Sequence, residues 1–317
     1  MSTVARLPEA DPLYAQPLSE RPVYATGMLL DAQDFADEQT YHRVQLARAM
    51  AFLAGGGTLA GLRVTHQAAT TGTNAVPEEI RVAPGLAIDR LGRLIELPRP
   101  ACLRLPRWYD AQNVLDGGDT LKRSAYSGLG RFLSARAIAE AGVLDAAPVP
   151  GRAVVADVFV RFVACPRGLT PSFAAGPFDA LNAVSTSRVR DAYELLLIPR
   201  EGLHDAHDGK PAYYGLPAAP GAAVVGNPDA DPAARHDALQ DAVLDAYPVT
   251  GRSGGAGQLA LLEQPNGLDP TAVFIARTLV PVAAGDPPIR QGDAVLVDNW
   301  HRRFIPSASL LAQWTGI

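Results

Sequence analysis

The chain has 317 residues, of which 48% are apolar and 19% charged, and its formal net charge is −5. At roughly 150 residues per domain, that length suggests about two domains, large enough to fold around a core without disulfides or metals. The acidic balance argues against nucleic acid as the main partner, because phosphate binding needs a dense cationic face, and no apolar run approaches the ~18 residues of a membrane span.

Residues 1–26 carry Pro8, Pro12, Pro17 and Pro22 at steps of four or five, with Tyr14 and Tyr24 among them. Proline fixes φ and disfavours helix in the residue before it, so the segment reads as an extended arm, lying on the chain's own surface or on a neighbour. Its start has no apolar stretch of the kind that directs secretion, so synthesis in the bacterial cytoplasm without a cleaved signal is expected. Residues 27–105 form a helix followed by a β-hairpin domain. The helix runs over about 31–53, with Asp31 as N-cap and Asp34, Asp37 and Glu38 in the first turns, where the macrodipole favours negative charge. Phe35, Leu46, Met50 and Leu53 recur at helical spacing and are expected to mark its buried face. Gly55, Gly56 and Gly57 stop it. Strands are predicted over 59–65 and 79–82, and residues 80–97 read as a hairpin around a turn that carries Asp89 and Gly92.

Residues 106–150 are less regular, a helical linker or insertion with a helix near 130–141. Residues 151–317 form a β-rich domain with strands over 154–164, 193–198, 273–282 and 294–297. Residues 200–270, rich in Gly, Pro, Asp and Ala, read as a long loop insertion with a short helix near 231–246. The predicted class is therefore α+β, mostly β: an N-terminal helix followed by β-rich domains with antiparallel sheets.

Reactive chemistry is sparse. Cys102 and Cys165 are the only cysteines and are expected to be buried free thiols. The stretch 55–61 lacks the lysine of a phosphate loop, and residues 125–129 lack the first glycine of a nucleophile elbow. His204, Asp205 and His207 are the densest group of metal-ligating side chains, yet they sit between Gly202 and Gly209, where a solvated turn is the plainer reading. No cofactor and no catalytic constellation is expected. Trp300, Phe304 and Trp314 lie close to the C-terminus as core plugs or as interface anchors, and residue type alone does not separate the two.

Four segments carry a resemblance. The first is Gly27-Met28-Leu29-Leu30-Asp31-Ala32-Gln33-Asp34-Phe35. The second is Gly61-Leu62-Arg63-Val64, leading to Val82-Ala83-Pro84-Gly85-Leu86-Ala87-Ile88-Asp89 and Gly92-Arg93. The third pairs 158–166 with Ser187-Arg188-Val189-Arg190-Asp191-Ala192-Tyr193-Glu194, and the fourth joins 273–277 to Val297-Asp298-Asn299 and Arg303. Together they resemble an uncharacterised bacterial family found in phage-tail-like contractile injection system and prophage gene clusters. The resemblance implies a non-enzymatic structural or adaptor component incorporated in such a particle near its baseplate or fibres. Its partners would be other particle subunits or further copies of the chain. Pro8, Pro12, Tyr14, Pro17, Pro22, Tyr24, Trp300 and Trp314 are the expected contact residues. The alternative is a ligand- or carbohydrate-binding β module using a loop aromatic such as Trp108.

Overall fold

The computed structural model describes residues 20–200 except 74, 113–114, 117–118, 121–124, 144–146 and 172–183. It also describes 232–234, 236–237, 240, 269 and 271–316 except 286–287 and 293. The first of its elements is governed by its ends. The Asp31 carboxylate accepts from the backbone N–H groups of Gln33 (2.7 Å) and Asp34 (3.2 Å), and the Asp34 carboxylate accepts from the N–H of Asp31 (2.9 Å). This reciprocal box satisfies donors that no helical turn can reach and starts α1 (Ala32–Leu53). Gly55, at φ 69°, sends the chain out of the helix.

α1 does not bury the face expected of it. Its buried residues are Val44, Ala47 and Ala51; the first two close on Leu91, and the backbone of Ala51 lies over Gly92. Phe35, Leu46 and Leu53 are 49%, 66% and 85% exposed. Small residues set the contact because the turn beneath is backbone: a Cβ on Gly92 would stand 1.8 Å from the Ala47 carbonyl oxygen. A bulky helix face cannot approach that closely.

Next come β1 (Gly57–Gly61) and β2 (Val64–Gln67), which belong to different sheets. The predicted single strand over 59–65 breaks at Leu62, whose φ of 54° turns the chain. β3 (Glu79–Val82) lies between β2 and β6 (Ala101–Arg104), while β4 (Gly85–Ile88) lies between β1 and β5 (Leu94–Leu97). The hairpin is therefore β4–β5 alone, with Ile88 opposite Leu94, and Ile80–Val82 serves the other sheet. α2 (Leu105–Ala111) holds Trp108, whose indole N–H donates to the Leu197 carbonyl at 2.7 Å. Trp108 is thus a helix residue clamped to a strand, not a loop platform for a ligand.

After the short β7 (Leu115–Asp116), β8 (Asp119–Thr120) and β9 (Ala125–Ser127), a 3₁₀ turn leads into α3 (Ala135–Glu140), capped by Ser134. The largest sheet is antiparallel, in the order β11 (Val184–Pro199), β10 (Arg152–Pro171), β12 (Val273–Ala283), β13 (Ile289–Arg290). β9 adds to β10, and β14 (Leu296–Asp298) adds to β12. The chain ends in α4 (Ala308–Thr315). The class is α+β and mostly β, with antiparallel sheets behind an N-terminal helix.

One apolar cluster crosses the boundary drawn between the N-terminal and C-terminal halves. Leu62, Val64, Ile80, Val82, Ile95 and Leu97 share it with Val154, Val158, Ile275, Val280 and Val295. The other face of β10 and β12 packs Ala153, Val155 and Leu279 against Leu129, Phe132, Leu133 and Ala137. Coverage on both faces explains why β12 is buried along nearly its whole length and mostly apolar, with Arg277 and Thr278 as its buried polar residues. Neither cysteine is buried: Cys102 is exposed and Cys165 half-buried, because both sit on strands outside the doubly covered region. Helical residues occur at 232–234, 236–237 and 240, and the rest of the predicted 231–246 helix lies outside the described residues.

Candidate interaction surface

Chemistry-bearing side chains in the interior are engaged with one another. Asp157, fully buried on β10, receives Nε and Nη2 of Arg277 (2.9 and 3.1 Å) and the guanidinium of Arg200. Burial by itself would raise the Asp157 carboxyl, but the two arginines outweigh it and hold the group below the usual carboxylate range. Asp89 is also fully buried, and it accepts from the N–H groups of Leu91 and Arg93 (both 2.9 Å) and from Arg93 Nε (2.6 Å). Here burial wins over Arg93, and the carboxyl is pushed up to about 6. Arg93 continues to the Thr271 hydroxyl (2.9 Å), and its guanidinium carbon lies 4.7 Å from the Phe162 ring centre.

The segments that carry the resemblance meet in space. Asn299 accepts from the N–H of Val64 and donates to its carbonyl, both at 2.9 Å, mimicking a strand partner for β2. Arg302 donates to the carbonyls of Leu62 (2.7 Å) and Asn299 (2.9 Å), and burial lowers its guanidinium to about 10. Asp298 accepts from the N–H and hydroxyl of Ser134 (2.6 and 2.9 Å) and from the N–H of Trp300 (2.8 Å), with His301 Nδ1 at 3.1 Å. Against the raising effect of burial, these donors keep the Asp298 carboxyl low. His66 pairs with Glu78 at 2.8 Å, but its Nδ1 faces the N–H of Val295 at 3.3 Å. A base whose second nitrogen already accepts from backbone has no lone pair to activate a nucleophile. Among the described residues no three His, Cys, Asp or Glu gather in a way that could hold a metal ion, and His204, Asp205 and His207 lie outside the described residues.

Unsatisfied surface is found elsewhere. No residue from 20 to 43 is buried. Leu29 is 95% exposed, and Val23, Tyr24, Met28, Leu30 and Phe35 are exposed beside it. The Tyr24 hydroxyl donates to Glu38 at 2.6 Å, which ties the end of the predicted arm to the first turns of α1. α4 likewise exposes Leu310, Leu311 and Trp314, the last at 86%. A groove of about 560 Å³ runs between β5 and β11, lined by Leu94, Glu96, Pro98, Arg190, Asp191 and Tyr193 among others.

The expected contact residues divide accordingly. Pro22 and Tyr24 lie on this uncovered stretch, and Trp314 is exposed on α4. Pro8, Pro12, Tyr14 and Pro17 lie outside the described residues. Trp300 is half-buried against Leu129, Phe132 and their neighbours; its indole donates to Glu140 at 3.0 Å, and the Arg136 guanidinium stacks 3.5 Å from its ring centre. Residue pattern alone passed over Met28, Leu29 and Leu30, although an apolar run just before an N-cap was the signal available. Compared with known proteins, the chain matches no protein-family model and no curated protein sequence.

Proposed function

We propose that this chain is a non-enzymatic structural adaptor that works by protein–protein assembly. Its setting, which the sequence resemblance suggests, is a phage-tail-like contractile injection particle near the baseplate or fibres. The observation that carries the reading is the uncovered stretch 20–43: about three turns of α1 and the apolar run before it contribute nothing to the core. A helix of about a dozen residues is marginal in water without tertiary packing. Contiguous exposed apolar surface of this kind marks a protein interaction site. The interior charges support the same reading, since they brace sheets and turns instead of converging on an open cavity.

The test is incorporation. The chain is expressed with its neighbouring genes, particles are purified, and the protein is quantified in them by mass spectrometry. Leu29→Asp with Phe35→Asp is expected to remove it from particles while its melting temperature stays within a few degrees of the parent. Undiminished incorporation of that variant, or absence of the parent from particles, rejects the proposal.

A further inference from the structure

β10 and β11 outrun the sheet that holds them. β12 accompanies β10 only from Ala153 to Val160, whereas the β10–β11 pairing continues from Val163 opposite Ala192 to Pro171 opposite Val184. Among the described residues no third strand joins these eight pairings, so 163–171 with 184–192 form a two-stranded ribbon of about 30 Å at ~3.4 Å per residue. A lone two-stranded hairpin is marginal in water, so a projecting ribbon gains from a partner.

Side chains alternate between the faces of a strand, and paired residues share a face. One face of the ribbon therefore carries Val163, Cys165 and Arg167 from β10 with Ala192, Arg190 and Arg188 from β11. Arg167 stands directly opposite Arg188, and Arg190 is the next residue on that face. All three are exposed. The nearest acidic residue along that face, Glu194, is already paired with Arg161, and among the described residues no ion pair reaches the three arginines. Like charges directly opposite on a ladder are destabilising, so an anionic partner would relieve this ribbon.

The same chain offers such a surface. Asp31, Asp34, Asp37 and Glu38 crowd the first turns of α1, on the stretch where nothing is buried. Carboxylates three or four apart on a helix are about 5–6 Å from one another, close to the spacing of arginines that are cross-strand or two residues apart on a strand. Apolar neighbours match as well, with Phe35 beside the acids and Val163 beside the arginines. We propose that the arginine face of the β10–β11 ribbon docks on the acidic start of α1 in a second copy of this chain. The contact is heterologous, so it links copies head to tail into a ring or a filament. It specifies one partner within the assembly reading and rests on that reading for its biological setting.

The experiment uses the purified full chain in sedimentation velocity at about 50 and about 500 mM salt, a range over which exposed charges become screened. Self-association is expected at low salt and loss of it at high salt. Arg167→Glu with Arg188→Glu and Arg190→Glu, and separately Asp37→Lys with Glu38→Lys, should each weaken association about tenfold or more at unchanged melting temperature. Mixing the two reversed variants should restore it, because each then meets a surface of opposite sign. A parent monomeric at low salt, association indifferent to either reversal, or failure of the mixture to reassociate would overturn the proposal. Particle incorporation is scored separately: a chain that enters particles yet never binds itself defeats this contact and leaves the assembly reading standing.

Discussion

Gly92→Ala is a small change with a large expected consequence for α1. Gly92 has φ of 84°, and its missing Cβ would fall 1.8 Å from the Ala47 oxygen and 2.9 Å from the Ala51 nitrogen. Those are backbone atoms, so no rotamer change relieves the clash, and α1 must lift from the turn. The contact at stake buries Val44 and Leu91, at about 2 kcal/mol each, and the methyls of Ala47 and Ala51 at about 0.8 kcal/mol each, roughly 5.6 kcal/mol together. A left-handed alanine adds about 1–2 kcal/mol. That exceeds what a helix docked through one short stretch can lose, while the sheets have their own cores. Hydrogen exchange followed by mass spectrometry should show protection lost across 32–53 and kept across β10 and β12, a local opening in place of global unfolding. Far-UV circular dichroism should lose part of its helical signal. Parent-like exchange in α1 would mean that the Gly92 turn is not what holds the helix in place.

Other outcomes follow from the buried charges. Asp157→Ala strands two guanidiniums in the core and should cost about 3–5 kcal/mol, whereas replacing Asp157, Arg200 and Arg277 together by Leu, Met and Met should recover most of that in urea titrations. Asn299→Ala leaves the N–H and carbonyl of Val64 without their partner and should cost about 2–3 kcal/mol, read as a lowered melting temperature. The pH dependence combines two signs. Asp89 titrates near 6 in the folded chain against 3.8 unfolded, so its contribution is full below about pH 4 and is lost as the pH rises through about 6. Asp157 and Asp298 are held low, so theirs is full above about pH 4 and is lost as the pH falls through their folded values. Melting curves from about pH 3 to 8 should therefore show a decline between about 4 and 6 that Asp89→Asn flattens, and an acid limb that it leaves in place.

Much of this architecture was legible along the chain because the signals were local. Asp31 with Asp34 caps α1 within three residues, Gly55 ends it, and the turn from Asp89 to Arg93 closes the β4–β5 hairpin. Apolar runs placed the centres of β10 and β12, and the mostly-β class followed from them. At the cap and the hairpin, backbone hydrogen bonds are satisfied by neighbours a few positions away, so residue types suffice to mark the element; β10 and β12 pair with distant segments, and only their apolar content marked them.

What residue order left open was decided between distant segments. The α1 periodicity pointed to Phe35, Leu46 and Leu53, but the core contact went to Val44, Ala47 and Ala51, because Gly92 allows backbone to approach there and the large side chains stay outside. Arg93 reaches Thr271, Asn299 bridges to Val64, and Asp157 joins Arg200 to Arg277, at separations no local window spans. The ribbon's arginine face exists only because one register aligns Arg167 with Arg188, and a one-residue slip would scatter it. Composition and periodicity determine which elements form. Which faces are buried, which charges are paired and which surfaces are left to bind depend on steric fit and electrostatics between segments that meet only once the chain is folded.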